Sequence, residues 1–173
     1  RIDMAEFERT RERERPPIGD NPYERTLKYR KEFGERMQSG PVVIKGDERE
    51  MFQARQGKLK FFLDPTWYHD APLQQWRVFM HEIHTKSGRH KHQGGLVIYV
   101  LEGVGYSVVD GQRIDWSKGD LVLLPLRPGG VEHQHFNLDP KKPSKWAAFI
   151  NIPIIEHLAS VLEQKEASPD FKG

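Results

Sequence analysis

The feature that most constrains this chain is the spacing of its apolar runs. KLKFFLD (58–64), QWRVFMHEIH (75–84), LVIYVLEG (96–103), GYSVVDG (105–111), QRIDW (112–116), DLVLLPL (120–126), VEHQHFN (131–137) and KWAAFINIP (145–153) are short and rich in β-branched and aromatic residues. Gly, Pro and Asp punctuate them, which is the pattern of strands and turns. In VVDGQRI the Asp110-Gly111 pair suits the positive-φ positions of a type I′ turn, so this segment reads as a hairpin. Seven or eight short strands at such intervals predict an antiparallel sandwich or barrel. There is no internal repeat, so a single barrel is expected over residues 58–153.

The flanks read differently. Residues 1–20 lack apolar periodicity and contain ERTRERER (8–15), where both charge signs crowd together, as in a solvated tail. Asn21 is an N-cap candidate followed by Pro22 at the first helical position, and NPYERTLKYRKEFGERM predicts a helix near 22–38 that Gly40-Pro41 stops. Residues 45–58 form a polar connection with room for a helical turn. Beyond Pro153, apolar residues at 154, 155, 158, 161 and 162 share one helical face and predict a closing helix near 154–165. The expected organisation is a charged leader and helical extension (1–57), a β-barrel (58–153), and a C-terminal helix and tail (154–173). The fold class is mainly β: an antiparallel barrel of jelly-roll type with flanking N- and C-terminal helices.

Composition narrows the chemistry. The 173 residues include no cysteine, which excludes disulfides, thiolate nucleophiles and zinc–sulfur sites. Basic and acidic residues number 27 and 25, too even a balance to point to nucleic acid. The longest apolar stretches, LVIYVL and LVLLPL, are far too short for a membrane-spanning helix, and no signal-peptide pattern is visible. A cytoplasmic protein without nucleic-acid or membrane partners is expected.

The histidines supply the candidate site. GRHKHQGGLVIYVLEG (88–103) carries His90 and His92, and VEHQHFN carries His133 and His135. On an extended strand, residues i and i+2 point to the same face about 6.6 Å apart. A small barrel brings inward residues of distant strands together, so two H-x-H pairs can assemble a set of imidazole donors. Neutral imidazoles favour iron, zinc, copper or nickel over calcium or magnesium. His69, His81, His84 and His157 have no comparable pairing and read as structural. Gln93, Arg89 and Arg127 are candidate substrate contacts, arginine because its planar fork matches a carboxylate. Asn137 reads as a loop-holding residue beside His133.

These stretches resemble the cupin motifs. HKHQGGLVIYVLEG carries the histidine pair and closing Gly103 of the first motif, and Gly119, Pro125, Gly130, His133 and Asn137 follow the second. Gly88 stands closer to His90 than the first motif asks, and LRPGG lengthens the second by three residues. The position of the first motif's glutamate falls on Leu96. The resemblance, over roughly residues 75–153, implies a cupin-type barrel with a metal on His90, His92 and His133. It selects His133 over His135 because His133 stands four residues before Asn137. His135 is then left to a substrate hydroxyl or a proton, as a catalytic residue. The ring-cleaving dioxygenases of the gentisate and salicylate type are similar: they keep H-x-H and lack the glutamate.

What the resemblance implies is a non-haem dioxygenase with Fe(II), or another divalent ion such as Mn, Ni or Zn. Its partners would be dioxygen and a small anionic chelating substrate such as a hydroxylated aromatic acid. Three neutral ligands leave about half an octahedral shell open and the ion's charge uncompensated, which favours an anion. An oxygen-independent isomerase or decarboxylase, with His135 or Glu132 moving a proton, is the second reading. A small-molecule-binding module is the third. Cupins commonly pair, so a homodimer or higher homo-oligomer is expected, with residues 21–45 available for it.

Overall fold

A computed structural model describes residues 21–159 and 161–173, so the charged stretch 8–15 lies outside the described residues. Two compact units divide the chain at Ser39. Of the first, the described part is helix α1 (Pro22–Ser39), none of whose residues is buried. Its start follows the expected chemistry: the Asn21 side-chain oxygen accepts from the Tyr23 and Glu24 amides, both at 2.9 Å, satisfying two otherwise orphaned donors.

The second unit, residues 40–173, is built of eleven strands among the described residues. In chain order they are β1 (Met51–Ala54), β2 (Gly57–Leu63), β3 (Trp76–Ile83), β4 (Arg89–His92), β5 (Leu96–Glu102), β6 (Val104–Val109), β7 (Gln112–Ser117), β8 (Leu121–Leu124), β9 (Val131–Asn137), β10 (Ser144–Asn151) and β11 (Leu162–Glu166). Helix α2 (Ile152–Ala159) joins β10 to β11. One sheet has the order β1-β2-β3-β10-β5-β8 and the other β11-β4-β9-β6-β7, with every pairing antiparallel. This is a jelly-roll sandwich of two open sheets rather than one closed barrel.

Period-two burial puts the core between the sheets. In β5, Leu96, Ile98 and Val100 are buried while Val97, Tyr99 and Leu101 are exposed, as the alternation of a strand dictates. Ile83, Val122, Leu124, Ala148 and Ile150 from the same sheet meet Val109, Trp116 and Val131 from the other. Asp110 (φ 47°) and Gly111 (φ 81°) close the predicted hairpin between β6 and β7. The two sheets together have three strands more than the eight expected: β4 carries the first histidine pair as a strand of its own. β1 occupies part of the polar connection, and β11 replaces the end of the predicted closing helix. The helix stops at Ala159, and LEQKE pairs instead with the edge of β4, setting Gln164 beside His90. An unpaired sheet edge offers backbone partners to any extended segment, and that outweighs a helical apolar stripe only two residues longer.

Candidate metal centre

Strand β4 carries RHKH with the burial pattern exposed–buried–intermediate–buried, so His90 and His92 both face inward. Beyond it the chain must turn sharply into β5. Gly94 (φ 86°) and Gly95 (φ 75°) make that turn in a region that side-chain-bearing residues avoid. Strand β9 pairs with β4 so that His133 lies directly opposite His90. The outcome is a converging set: one ring nitrogen from each of His90, His92 and His133 lies within 4.8 Å of the others. The ring centroids of His90 and His133 are 4.3 Å apart, and those of His92 and His133 4.7 Å. Among the described residues, no carboxylate joins this set.

Burial keeps these rings neutral. His92 is pushed down to about 4, by burial first and then by the neighbouring His90. His90 is lowered by burial, and His133 falls well below the usual histidine range by burial and the adjacent His90, His135 and His92. The donor set therefore fits a divalent transition-metal ion, which requires unprotonated imidazole nitrogens. Two rings are already turned for it. His90 Nδ1 faces the Gly88 carbonyl at 3.4 Å and His133 Nδ1 the Val131 carbonyl at 3.3 Å, an arrangement that puts the proton on Nδ1 and frees Nε2 as a donor. His92 differs, because the Gly94 amide donates to its Nδ1 at 3.0 Å. The proton of its neutral ring then sits on Nε2, and ligation through that atom requires the tautomer to move.

The three histidines line a cavity of about 330 Å³, with Leu96, Phe61, Phe79, Trp146 and Ile150 supplying apolar wall. Leu96, at the glutamate position, is a buried wall residue. Gln93 lines the same cavity, and its Oε1 accepts from the Val161 amide at 3.3 Å. Arg89 and Arg127 do not line it: they are exposed and paired with Glu132 and Asp110 respectively. The arginine that does line the cavity is Arg77, whose Nε donates to Asp64 at 2.8 Å.

His135 lies next to the set but outside it. Its ring centroid is 5.3 Å from that of His133 and 5.0 Å from Trp146. His81, read from sequence as structural, also lines the cavity, and burial followed by the nearby His90 lowers it to about 3. The signal for Arg77 and His81 was available in the strand period, since Arg77, Phe79, His81 and Ile83 alternate along β3 and share its inner face. Of the other histidines, His69 and His157 are exposed, and His84 contacts Glu82 at 3.0 Å. Asn137 holds its loop: its side-chain nitrogen donates to the His84 and Lys142 carbonyls at 2.9 and 2.8 Å.

Comparison with known proteins places the central stretch. Residues 77–152 match the family model described as the cupin domain. Gentisate 1,2-dioxygenase from a Ralstonia species is 33% identical over 70 residues, covering 40% of this chain and 19% of the enzyme. The chain thus matches about a fifth of that enzyme's length. The polyketide cyclase RemF from Streptomyces resistomycificus superposes with a TM-score of 0.53 at 14% identity, over 75% of this chain and 89% of the cyclase. A Streptomyces PAC13 variant with uridine gives 0.52 at 11% identity, over 73% and 92%. Vicilin from hazelnut, Corylus avellana, gives 0.51 at 14%, over 70% of this chain and 35% of vicilin. At these identities the structural likeness is one of fold, and it spans proteins of unrelated roles. Among the described residues no helix is long and apolar enough to cross a membrane. The sandwich topology, the family match and the paired histidine motifs agree that residues 77–152 have the cupin fold.

Proposed function

We propose that this protein is an iron(II)-dependent dioxygenase acting on a small hydroxylated aromatic acid or a related chelating anion. The observation that carries the reading is the donor set: three buried neutral imidazoles on one cavity wall, with Leu96 where a fourth, acidic ligand would stand. His90, His92 and His133 would hold the ion, whose chemistry when bound is to chelate substrate and activate dioxygen at its open positions. The similarity to gentisate 1,2-dioxygenase supports the same reading.

The rest is the work of the chain. Its cavity is of small-molecule size, and the Phe61, Phe79, Trp146 and Ile150 wall offers flat apolar contact to a ring. The same wall excludes water, so charge on a bound anion is felt strongly by the histidine end. His135, buried beside His133, also lines the cavity and can hydrogen-bond a substrate oxygen. Gln93, anchored by the Val161 amide, presents an amide group to the same space.

The test is metal analysis of anaerobically purified protein, followed by oxygen uptake with gentisate, salicylate and related hydroxylated acids. One iron per chain and substrate-dependent uptake are expected. His90→Ala and His92→Ala should each lower metal affinity at least about 100-fold, because a three-ligand set has no spare member. Turnover without oxygen uptake would replace this reading with an isomerase or decarboxylase. Stoichiometric binding without turnover would replace it with a binding module.

A further inference from the structure

His135 makes one side-chain hydrogen bond, and the group it bonds is itself committed. Its Nδ1 lies 2.6 Å from Ser107 Oγ, across the register pair that joins β6 to β9. The indole Nε1 of Trp116 donates to the same Oγ at 2.9 Å. Ser107, His135 and Trp116 are all buried, Ser107 completely. The other ring nitrogen of His135, Nε2, is buried with no hydrogen-bond partner.

Proton counting separates the two tautomers. An indole nitrogen only donates, so Trp116 occupies a lone pair on Ser107 Oγ and leaves the hydroxyl proton needing an acceptor. If Ser107 donates to His135 Nδ1, the indole N–H, the Ser107 hydroxyl and Nδ1 are all paired, and the ring proton sits on the unpartnered Nε2. If instead His135 Nδ1 carried the proton, two donors would point at one oxygen. The Ser107 hydroxyl would then be a buried donor with no acceptor, in addition to the unpaired Nε2 lone pair. The first arrangement leaves one buried group unsatisfied and the second leaves two, and each such group is expensive in a dry interior.

We propose that Ser107 and Trp116 are positioning residues that hold His135 in its Nε2–H tautomer, so that it offers the interior of the cavity a hydrogen-bond donor and not a proton acceptor. Such a donor selects an acceptor oxygen, a carboxylate or an ionised phenol, over a neutral hydroxyl that needs its proton removed. The inference concerns the tautomer of the protein alone and stands whether or not the reaction consumes oxygen.

The experiment is long-range proton–nitrogen NMR of the imidazoles in uniformly nitrogen-15-labelled full chain, metal-free and zinc-loaded, with His135 assigned by its loss in His135→Asn. In the wild type, His135 Nε2 should show the shift of a protonated nitrogen and Nδ1 that of a bare, hydrogen-bonded one. Ser107→Ala should abolish this single pattern, either mixing the two nitrogens or reversing them, and Ser107→Thr should restore it. Trp116→Phe keeps the fold testable if Ser107→Ala disturbs it: freed of the indole, Ser107 Oγ can accept from His135, so the two nitrogen signals should move toward each other. A wild type with the proton on Nδ1 would overturn the proposal. So would a folded Ser107→Ala protein with unchanged His135 nitrogens. Neither outcome bears on metal content or oxygen uptake, so this inference and the dioxygenase reading fail separately.

Discussion

The interior of the sandwich has two halves of opposite chemistry. Between β5, β8 and β10 lie Ile98, Val100, Val122, Leu124, Ala148 and Ile150, each satisfied by burial alone. Between β4, β9 and the inner face of β3 lie His90, His92, His133, His135 and His81, all at most 8% exposed. An aliphatic side chain of that size gains about 1.5–3 kcal/mol on full burial, whereas a buried imidazole forfeits its charged form and must find partners for two nitrogens. The first half therefore stabilises the fold and the second spends part of that stability on arranging donors. A region that is expensive when empty and complementary to a cation when filled is the expected mark of a ligand site.

The largest effect that would break this comparison is acid. In metal-free protein, unfolded histidines take up protons near pH 6.5, while folded His92 resists to about 4 and folded His81 to about 3. Between those values the unfolded state binds more protons, so stability must fall as the pH drops from 6.5 toward 3. His81 alone corresponds to on the order of 5 kcal/mol over that window. Urea midpoints measured from pH 7 to pH 4 should decline steadily, and a flat profile would mean that the two halves do not differ in this way. Next in size, Ile98→Ala in the aliphatic half should cost about 2–5 kcal/mol at pH 7. It should lower the whole stability–pH curve while leaving its slope unchanged. A changed slope would show that the halves are coupled rather than separable.

The smallest effects belong to the surface. Arg89→Ala and Arg127→Ala each remove one exposed ion-pair partner and should shift stability by no more than about 1 kcal/mol. Metal content, measured by atomic absorption, should stay at the wild-type level in both. A loss of bound metal in either variant would extend the histidine half outward to the sheet's exterior and blur its boundary.

Eight of the strands, the Asp110-Gly111 hairpin, the start of α1 at Asn21 and the inward pairing of His90 with His92 were legible in the sequence. These are local matters: strand period, turn φ and helix capping are set by a few adjacent residues. Whether His133 or His135 joins the other two was open on spacing alone, since both face inward. The register decides it, because β4 reaches along β9 only as far as His133, while His135 lies across from Ser107 on β6. Arg89 points outward from β4 and Arg127 sits in the connection from β8 to β9, whereas Arg77 and His81 reach the cavity because the sheet turns that face of β3 inward. The C-terminal LEQKE shows the limit most directly. Its own residues are polar and weakly patterned, and it is a strand because the edge of β4 stood open beside it. The sequence by itself determined most of the elements and which residues could carry chemistry. Tertiary structure decided which of them meet, because that depends on backbone pairing between segments far apart in the chain.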